Sequence, residues 1–359
     1  MKRSGDSNGR MPLGLIILID VLLIGVGLVV FALFDHVIPR EYQKVVYARA
    51  VQTAADSGDF SLKFADKFTD GEIIKTENSY QSKYLNVTLT RYETVLSEFE
   101  PKRDPLPLVY FVEDVYIRSI DCLRTVFAKD TFGKGVKEPV VDMAKRVGSV
   151  AAVNGDYYGC VDEGLVIRNG QLYREGFAHA AEVMVIYRDG SAEVFESEQE
   201  MDIDRIMSDG AWQGFDFGPG FLDENGEPRN DNRINHKGHH PRTIFGMIEP
   251  GHYLLITVDG RRDDYSAGMH LDGCANLCKK LGCVLAFNLD GGETAQMTFM
   301  GEMVNDPYED GRDTSDLLYF VDLTEEDAAG DAPSVEESED AAEAPTNTQN
   351  AGEGADTQA

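Results

Sequence analysis

Two distant stretches of this chain repeat one local plan. Residues 148–156 read Gly-Ser-Val-Ala-Ala-Val-Asn-Gly-Asp, and residues 282–290 read Gly-Cys-Val-Leu-Ala-Phe-Asn-Leu-Asp. Each is preceded by apolar positions at helical spacing: Val140, Met143, Ala144 and Val147 before the first, Leu271, Cys274, Cys278 and Leu281 before the second. Pro139 suits a first helical turn, and Gly148 and Gly282 suit the position just past a helix end. The short apolar run after each glycine has the composition of a buried strand. Each unit therefore predicts helix, tight turn, strand and Asn-x-Asp. Because side chains alternate along a strand, the amide and the carboxylate two residues apart emerge on the same side of the pleat. A third strand end, 253–258, runs into Asp259-Gly260-Arg261-Arg262, again apolar residues followed by a carboxylate and a glycine. The alternative is that these Asn and Asp residues only open turns by bonding their own backbone. Three acidic strand ends favour one shared pocket.

The flanks differ in character from this middle. Residues 13–34 are almost wholly apolar and follow Lys2, Arg3 and Arg10, a length that suits a bilayer span of about 20 residues. Small residues of a cleavage site do not follow, so an uncleaved anchor is expected, with residues 1–12 cytoplasmic and the domain extracytoplasmic by the positive-inside rule. Asp20 lies inside the span as an off-centre acid that the surrounding Leu and Ile outweigh. Residues 35–75 are expected as a stalk or linker, and the folded domain as 76–323. Residues 84–92 and 108–117 alternate as its first strands. Residues 324–359 lack Lys and Arg and carry almost nothing apolar, which predicts a disordered acidic tail. Asp and Glu total 63 against 33 Lys and Arg, a formal net charge of −30. That balance argues against nucleic acid, and any phosphate must be held by particular arginines or backbone amides.

Five cysteines, Cys122, Cys160, Cys274, Cys278 and Cys283, leave one unpaired at best. Cys274 and Cys278, one helical turn apart, suit small core positions better than a bridge. A zinc site of cysteines with His236, His239 and His240 is disfavoured, since the cysteines lack paired short spacings. His240 abuts Pro241-Arg242-Thr243 and is the histidine nearest a candidate site in sequence.

Several motifs occur in order along the chain. They are Asn154-Gly155-Asp156-Tyr157-Tyr158-Gly159, the segment from Gly164 through Arg168 to Gly170, and Gly218-Pro219-Gly220. Next come Pro241-Arg242-Thr243, Asp259-Gly260-Arg261, Gly268-Met269, and Asn288-Leu289-Asp290-Gly291-Gly292, with Asn305 and Arg312 near the end. Over residues 114–323 this set resembles the phosphodiester glycosidase domain, the family of the enzyme that uncovers mannose 6-phosphate by removing N-acetylglucosamine from a sugar-phosphate diester. The family usually continues its Asn-Leu-Asp-Gly-Gly with another glycine and two serines. This chain has Glu293-Thr294-Ala295, which keeps one hydroxyl and adds a carboxylate.

The resemblance implies hydrolysis of a sugar 1-phosphodiester, whose leaving group is already a stable phosphate anion. Arg242 and Arg261 are the candidates to hold that phosphate, with the amides of Gly291 and Gly292. Asp290 and Asp156 are the candidate catalytic carboxylates for an oxocarbenium-like centre and its attacking water or nucleophile. Asn154, Asn288, Thr243, Asp259 and Thr294 complete the expected substrate contacts. Asn154, Asp156, Asn288 and Asp290 would also suit a calcium or magnesium ion. The expected fold is a single α+β domain with helices packed on a mixed sheet, behind one transmembrane helix. The expected partner is a phosphoglycan or other cell-wall or exopolysaccharide polymer. Two alternatives stand beside hydrolysis: a non-catalytic envelope polysaccharide-binding module, and a phosphodiesterase cleaving on the phosphate side.

Overall fold

The structure, a computed structural model, describes residues 12–32, 43–45, 58–178, 182–229, 238–324 and 327. Residues 1–11, most of the expected stalk before residue 58, His236 and nearly all of the acidic tail lie outside the described residues.

Three antiparallel sheets surround one core. The largest has seven strands in the order Leu285–Leu289, Arg242–Glu249, His252–Val258, Pro107–Ile117, Leu85–Val95, Ser79–Gln81 and Ile74–Lys75. A second runs Glu302–Met303, Met297–Phe299, Ala151–Asn154, Asp316–Phe320, Leu123–Phe127. The third runs Gln171–Arg174, Val166–Arg168, Ala211–Phe217, Glu182–Tyr187, Ala192–Phe195. Their inner faces share one apolar cluster that includes Phe245 and Phe287 from the first sheet, Val153 and Phe320 from the second, and Met184 and Phe215 from the third. The mixed α and β character matches the sequence expectation. A single mixed sheet does not form: hairpins alternate with crossovers between strands distant in sequence, and all described pairings are antiparallel.

Each sheet turns its other face to one short helix. Helix Leu271–Lys280 packs Leu271, Cys274, Leu277 and Cys278 on Ile244, Leu254 and Ile256 of the seven-stranded sheet. Helix Val140–Val147 packs Val140, Met143 and Ala144 on Val126, Ala152 and Leu317. Helix Ile203–Ser208 sets Ile206 against Val183 and Val185. The first two are the helices of the repeated plan, and both end as their glycines predict, with Gly148 at φ 64° and Gly282 at φ 87°. All five cysteines are free thiols, and Cys274 and Cys278 are core residues.

The folded part starts before the expected boundary at residue 76. Phe60 and Phe64 are buried in the central cluster, Phe68 packs against it, and Ile74–Lys75 forms the edge strand of the large sheet. The ring of Phe60 fits against Gly190 and Gly251, where an added Cβ would lie 2.4 and 2.5 Å from it. Apolar residues at 60, 64 and 68 carry this packing, a short helical spacing inside the segment expected to be a stalk.

The N-terminal helix Leu13–Ala32 is 20 residues long and, apart from Asp20, carries no charge. Every described side chain on it, through Val29, is exposed. Within those fully described residues no helix is long and apolar enough to cross a membrane.

Candidate active site

The two repeated units end beside each other. Strand Ala151–Asn154 belongs to the second sheet and Leu285–Leu289 to the first, and the chains meet just past their ends, where Asp290 N–H donates to Gly155 O at 3.3 Å. Asn154 ties the seam. Its Nδ2 donates to Asp290 O at 2.7 Å, while its Oδ1 accepts from Thr243 Oγ1 at 2.8 Å and from Gln296 N at 3.2 Å. Asn154 and Thr243 therefore spend their polar groups inside the protein. Asn288 donates from Nδ2 to Gly218 O at 2.8 Å, and its buried Oδ1 has no partner.

The two candidate carboxylates occupy different environments. Asp290 is 9% exposed and accepts from Arg312 Nη2 at 3.0 Å. Burial raises its pKa, opposed by Thr294, Arg312 and the Gly291 amide. Asp156 is deeper: its Oδ2 accepts from Arg168 Nη2 at 2.9 Å and from Asp216 N at 3.2 Å, and its Oδ1 from Tyr158 N at 3.0 Å. Arg168 also holds Asp316, donating from Nε at 2.9 Å and from Nη2 at 2.7 Å, and it bonds the carbonyl of Gly214. Arg168, Asp156 and Asp316 are all buried. Burial works against the Arg168 charge, but the two carboxylates outweigh it and raise its pKa. Burial pushes Asp316 up to about 7 against the pull of Arg168, and Asp216 up to about 6 against two backbone N–H donors. Gly155 has no side chain for a reason: a Cβ there would collide with the Asp316 carboxylate.

The phosphate-binding expectations divide. Arg261 lies at the rim, 33% exposed, with Nη1 3.9 Å from Glu293 Oε1 and its guanidinium 5.2 Å from the Tyr308 ring. It bonds His240 Nδ1 only at 3.4 Å, so donors remain for a ligand. Gly292 stands against it, an added Cβ there falling 3.1 Å from Arg261 Nη2. Arg242 points elsewhere. Its Nε donates to Met269 O at 2.9 Å and its Nη2 to Gly238 O at 3.3 Å. The pleat explains this, because Thr243 turns toward Asn154 and its neighbour must turn to the opposite face. The glycine amides are also engaged: Gly292 N–H donates to Pro241 O at 3.0 Å, and Gly291 N–H serves the Asp290 carboxylate. Thr294 Oγ1 donates to Gly291 O.

Asp259 forms no ion pair with Arg261 or Arg262. Its Oδ1 accepts from Asn305 Nδ2 at 2.8 Å, and its Oδ2 from Tyr265 OH at 2.9 Å and Asp306 N at 3.1 Å. Asn305 then bonds Met297 N and Ala295 O, bracing the segment after Asp290. Asp259 thus supports the Asp290 loop from behind. The accessible rim consists of Arg312, Arg261, Glu293 and Tyr157, the last 36% exposed. The role of Arg168 was signalled by its charge within the apolar strand Val166–Arg168, which demands a buried partner. Which partner it takes was not written locally.

Antiparallel sheets meet at a seam of buried carboxylates and arginines, and comparison with known proteins points to a glycosidase-type hydrolase. Residues 147–321 match the family described as phosphodiester glycosidase. The chain is 33% identical over 270 residues to the SPbeta prophage-derived uncharacterized protein YomE of Bacillus subtilis (strain 168), an alignment covering 68% of this chain. It spans 40% of the length of that relative. Among solved structures it is similar in fold to the catalytic domain of zebrafish N-acetylglucosamine-1-phosphodiester alpha-N-acetylglucosaminidase, auto-inhibited by its pro-peptide. The TM-score is 0.53 at 19% identity, covering 70% of this chain and 88% of that one.

Proposed function

We propose that this chain is a membrane-anchored, extracytoplasmic hydrolase of sugar 1-phosphodiester linkages in cell-envelope or exopolysaccharide glycans. The observation that carries the proposal is Asp290: a carboxylate at the seam of two sheets, mostly buried, braced by Arg312 and bordered by the exposed guanidinium of Arg261. In this reading the ionised Asp290 works at the anomeric carbon as nucleophile, base or charge stabiliser. Arg261 and Arg312 hold the phosphate, for which forked guanidinium donors are suited. Asp156 then acts at one remove, fixing Arg168 and the Gly155 turn. Glu293, 39% exposed beside Arg261, is the neighbouring carboxylate with solvent access. A calcium or magnesium ion, if used, would draw on Asp290 and the unpartnered Oδ1 of Asn288 rather than on Asp156, whose oxygens are committed.

The test is turnover of a panel of glycosyl 1-phosphodiesters by the full chain and by Asp290→Asn. The wild-type chain should release free sugar and a phosphomonoester, and the variant should release essentially none while its thermal midpoint stays nearly unchanged. Full activity in the variant removes Asp290 from the mechanism, and release of a sugar phosphate would indicate cleavage on the phosphate side. A second reading rests on the commitment of Asp156 to Arg168, which leaves the seam without a second free aspartate. On that reading the domain binds an envelope polymer without cutting it, and the same panel would be retained with no product.

A further inference from the structure

Glu100 lies away from the Asp290 seam, just past the turn Leu96–Glu98, and is only 3% exposed. Its Oε1 accepts the N–H of His270, the residue that opens helix Leu271–Lys280, at 2.9 Å. Its other oxygen meets two imidazoles: Oε2 is 2.9 Å from His270 Nδ1 and 3.3 Å from His239 Nε2. The two rings stand edge to face at 85°, with centroids 3.9 Å apart. One donor atom from each of the three residues lies within 4.8 Å of the others.

The contact of His270 is the informative one. It has the length of a hydrogen bond but not the direction, and Nδ1 is left without a hydrogen-bond partner in a residue only 5% exposed. A buried polar atom so placed calls for an explanation. Two donors on one tetrahedral zinc, each about 2.0 to 2.2 Å from the ion, stand roughly 3 to 3.5 Å apart. The His239 separation of 3.3 Å falls in that range, and the His270 separation of 2.9 Å lies just short of it, so a small opening of the pair would admit an ion.

We propose that Glu100, His239 and His270 form a site for a divalent transition metal, with zinc the best match and a fourth position open to water. Two imidazoles and one carboxylate are a borderline donor set that suits zinc rather than calcium or magnesium. Glu100 borders a surface hollow of about 480 Å³ lined also by Phe99, Lys102, Arg103, Asp272 and Asn276, and the His239 side chain is itself 25% exposed. Arg103 is the competitor. Its Nε is 3.3 Å from the same Oε2, and its side chain is 44% exposed, free to withdraw into solvent as a metal enters. A bound ion would clasp the loop of His239 to the start of the helix. That loop leads directly into Arg242 and Thr243, so the clasp would steady the strand that bonds Asn154.

The proposal is tested on the full chain, freed of metal with a chelator and then given zinc or cobalt(II) alone. It should take up one equivalent of zinc by equilibrium dialysis, show the visible bands of four-coordinate cobalt(II), and gain thermal midpoint with zinc. His239→Ala, at a partly exposed loop position, should weaken zinc binding by more than about 100-fold, beyond the loss typical of outer-shell changes. Arg103→Gln should tighten it. Absence of stoichiometric zinc uptake by the folded wild-type chain would overturn the proposal, as would unchanged affinity in His239→Ala. Asp290→Asn should take up zinc like the wild type; loss of uptake there would place the metal at the seam and overturn the assignment to Glu100.

Discussion

Asp290 is held between opposing influences, and its neighbours set the pH at which it can act. Burial favours its neutral form, while Thr294 and Arg312 favour the anion. In the proposed role of nucleophile, base or charge stabiliser Asp290 must be ionised, so the acid limb of kcat/KM should lie above the range of an ordinary aspartate. Arg312→Ala removes a cation that favours ionisation, and the limb should move to still higher pH. A pH–rate profile checks this; a downward shift would count against Asp290 as the titrating group. Asp216 makes the same physics visible in stability. Burial raises its folded pKa to about 6, above the unfolded value of about 3.9, so between those values the folded chain binds more protons than the unfolded one. Its stabilising share is present at low pH and is lost as pH rises through about 6. Asn at this position cannot ionise and keeps an acceptor for the amides of Leu165 and Ala178. The thermal midpoint of Asp216→Asn should therefore gain on wild type between about pH 4 and about pH 6 and run parallel to it above that. A gap constant with pH would refute the assignment.

Among elements, the decisive junction is the one Arg168 makes. It leaves the end of strand Val166–Arg168 in the third sheet and joins Asp156, just past Ala151–Asn154, to Asp316 at the start of Asp316–Phe320. Arg168→Met would leave two carboxylates buried without their cation, a change that typically costs on the order of 3–5 kcal/mol. Denaturant unfolding should show that loss, and adding Asp316→Asn should recover part of it; strict additivity of the two would mean that the pair does not interact. How much of this was legible follows from the range of each signal. Helices Val140–Val147 and Leu271–Lys280, their terminal glycines and the strands after them are written in local spacing, and they form as expected. The convergence of the two Asn-x-Asp ends was legible as an inference from their likeness, and Gly155 and Asp290 do meet. The direction of Arg242 was not, because motif order does not say which face of a strand a pocket uses. Nor was the Glu100 cluster, whose members are brought together from residues 100, 239 and 270 only by the folding of the large sheet and its helix.

For the whole molecule, the feature at its edge is the apolar helix Leu13–Ala32. At 1.5 Å per residue its 20 residues extend about 30 Å, the thickness of a hydrocarbon core. Helices that are apolar all round are buried in protein or lipid, and the side chains from Leu13 to Val29 are exposed. If the proposed anchoring holds, the full chain should sediment with membranes and resist carbonate extraction, while a chain beginning at residue 58 should stay in the supernatant with its thermal midpoint only slightly lowered. Membrane association of the shortened chain would assign the attachment to another surface. Residues 43–45 touch the folded part, with Val45 packed on Phe127 and Tyr158, so a small loss of midpoint is expected from their removal. The meeting of two sheets at Gly155 and Asp290 has its own consequence for divergence. The outer hairpin Ile74–Lys75 with Ser79–Gln81 sits at the opposite border of the large sheet from the strand that leads into Asp290. Descendants of this architecture are free to lengthen, trim or exchange that margin, while the handful of groups at the contact stays in place.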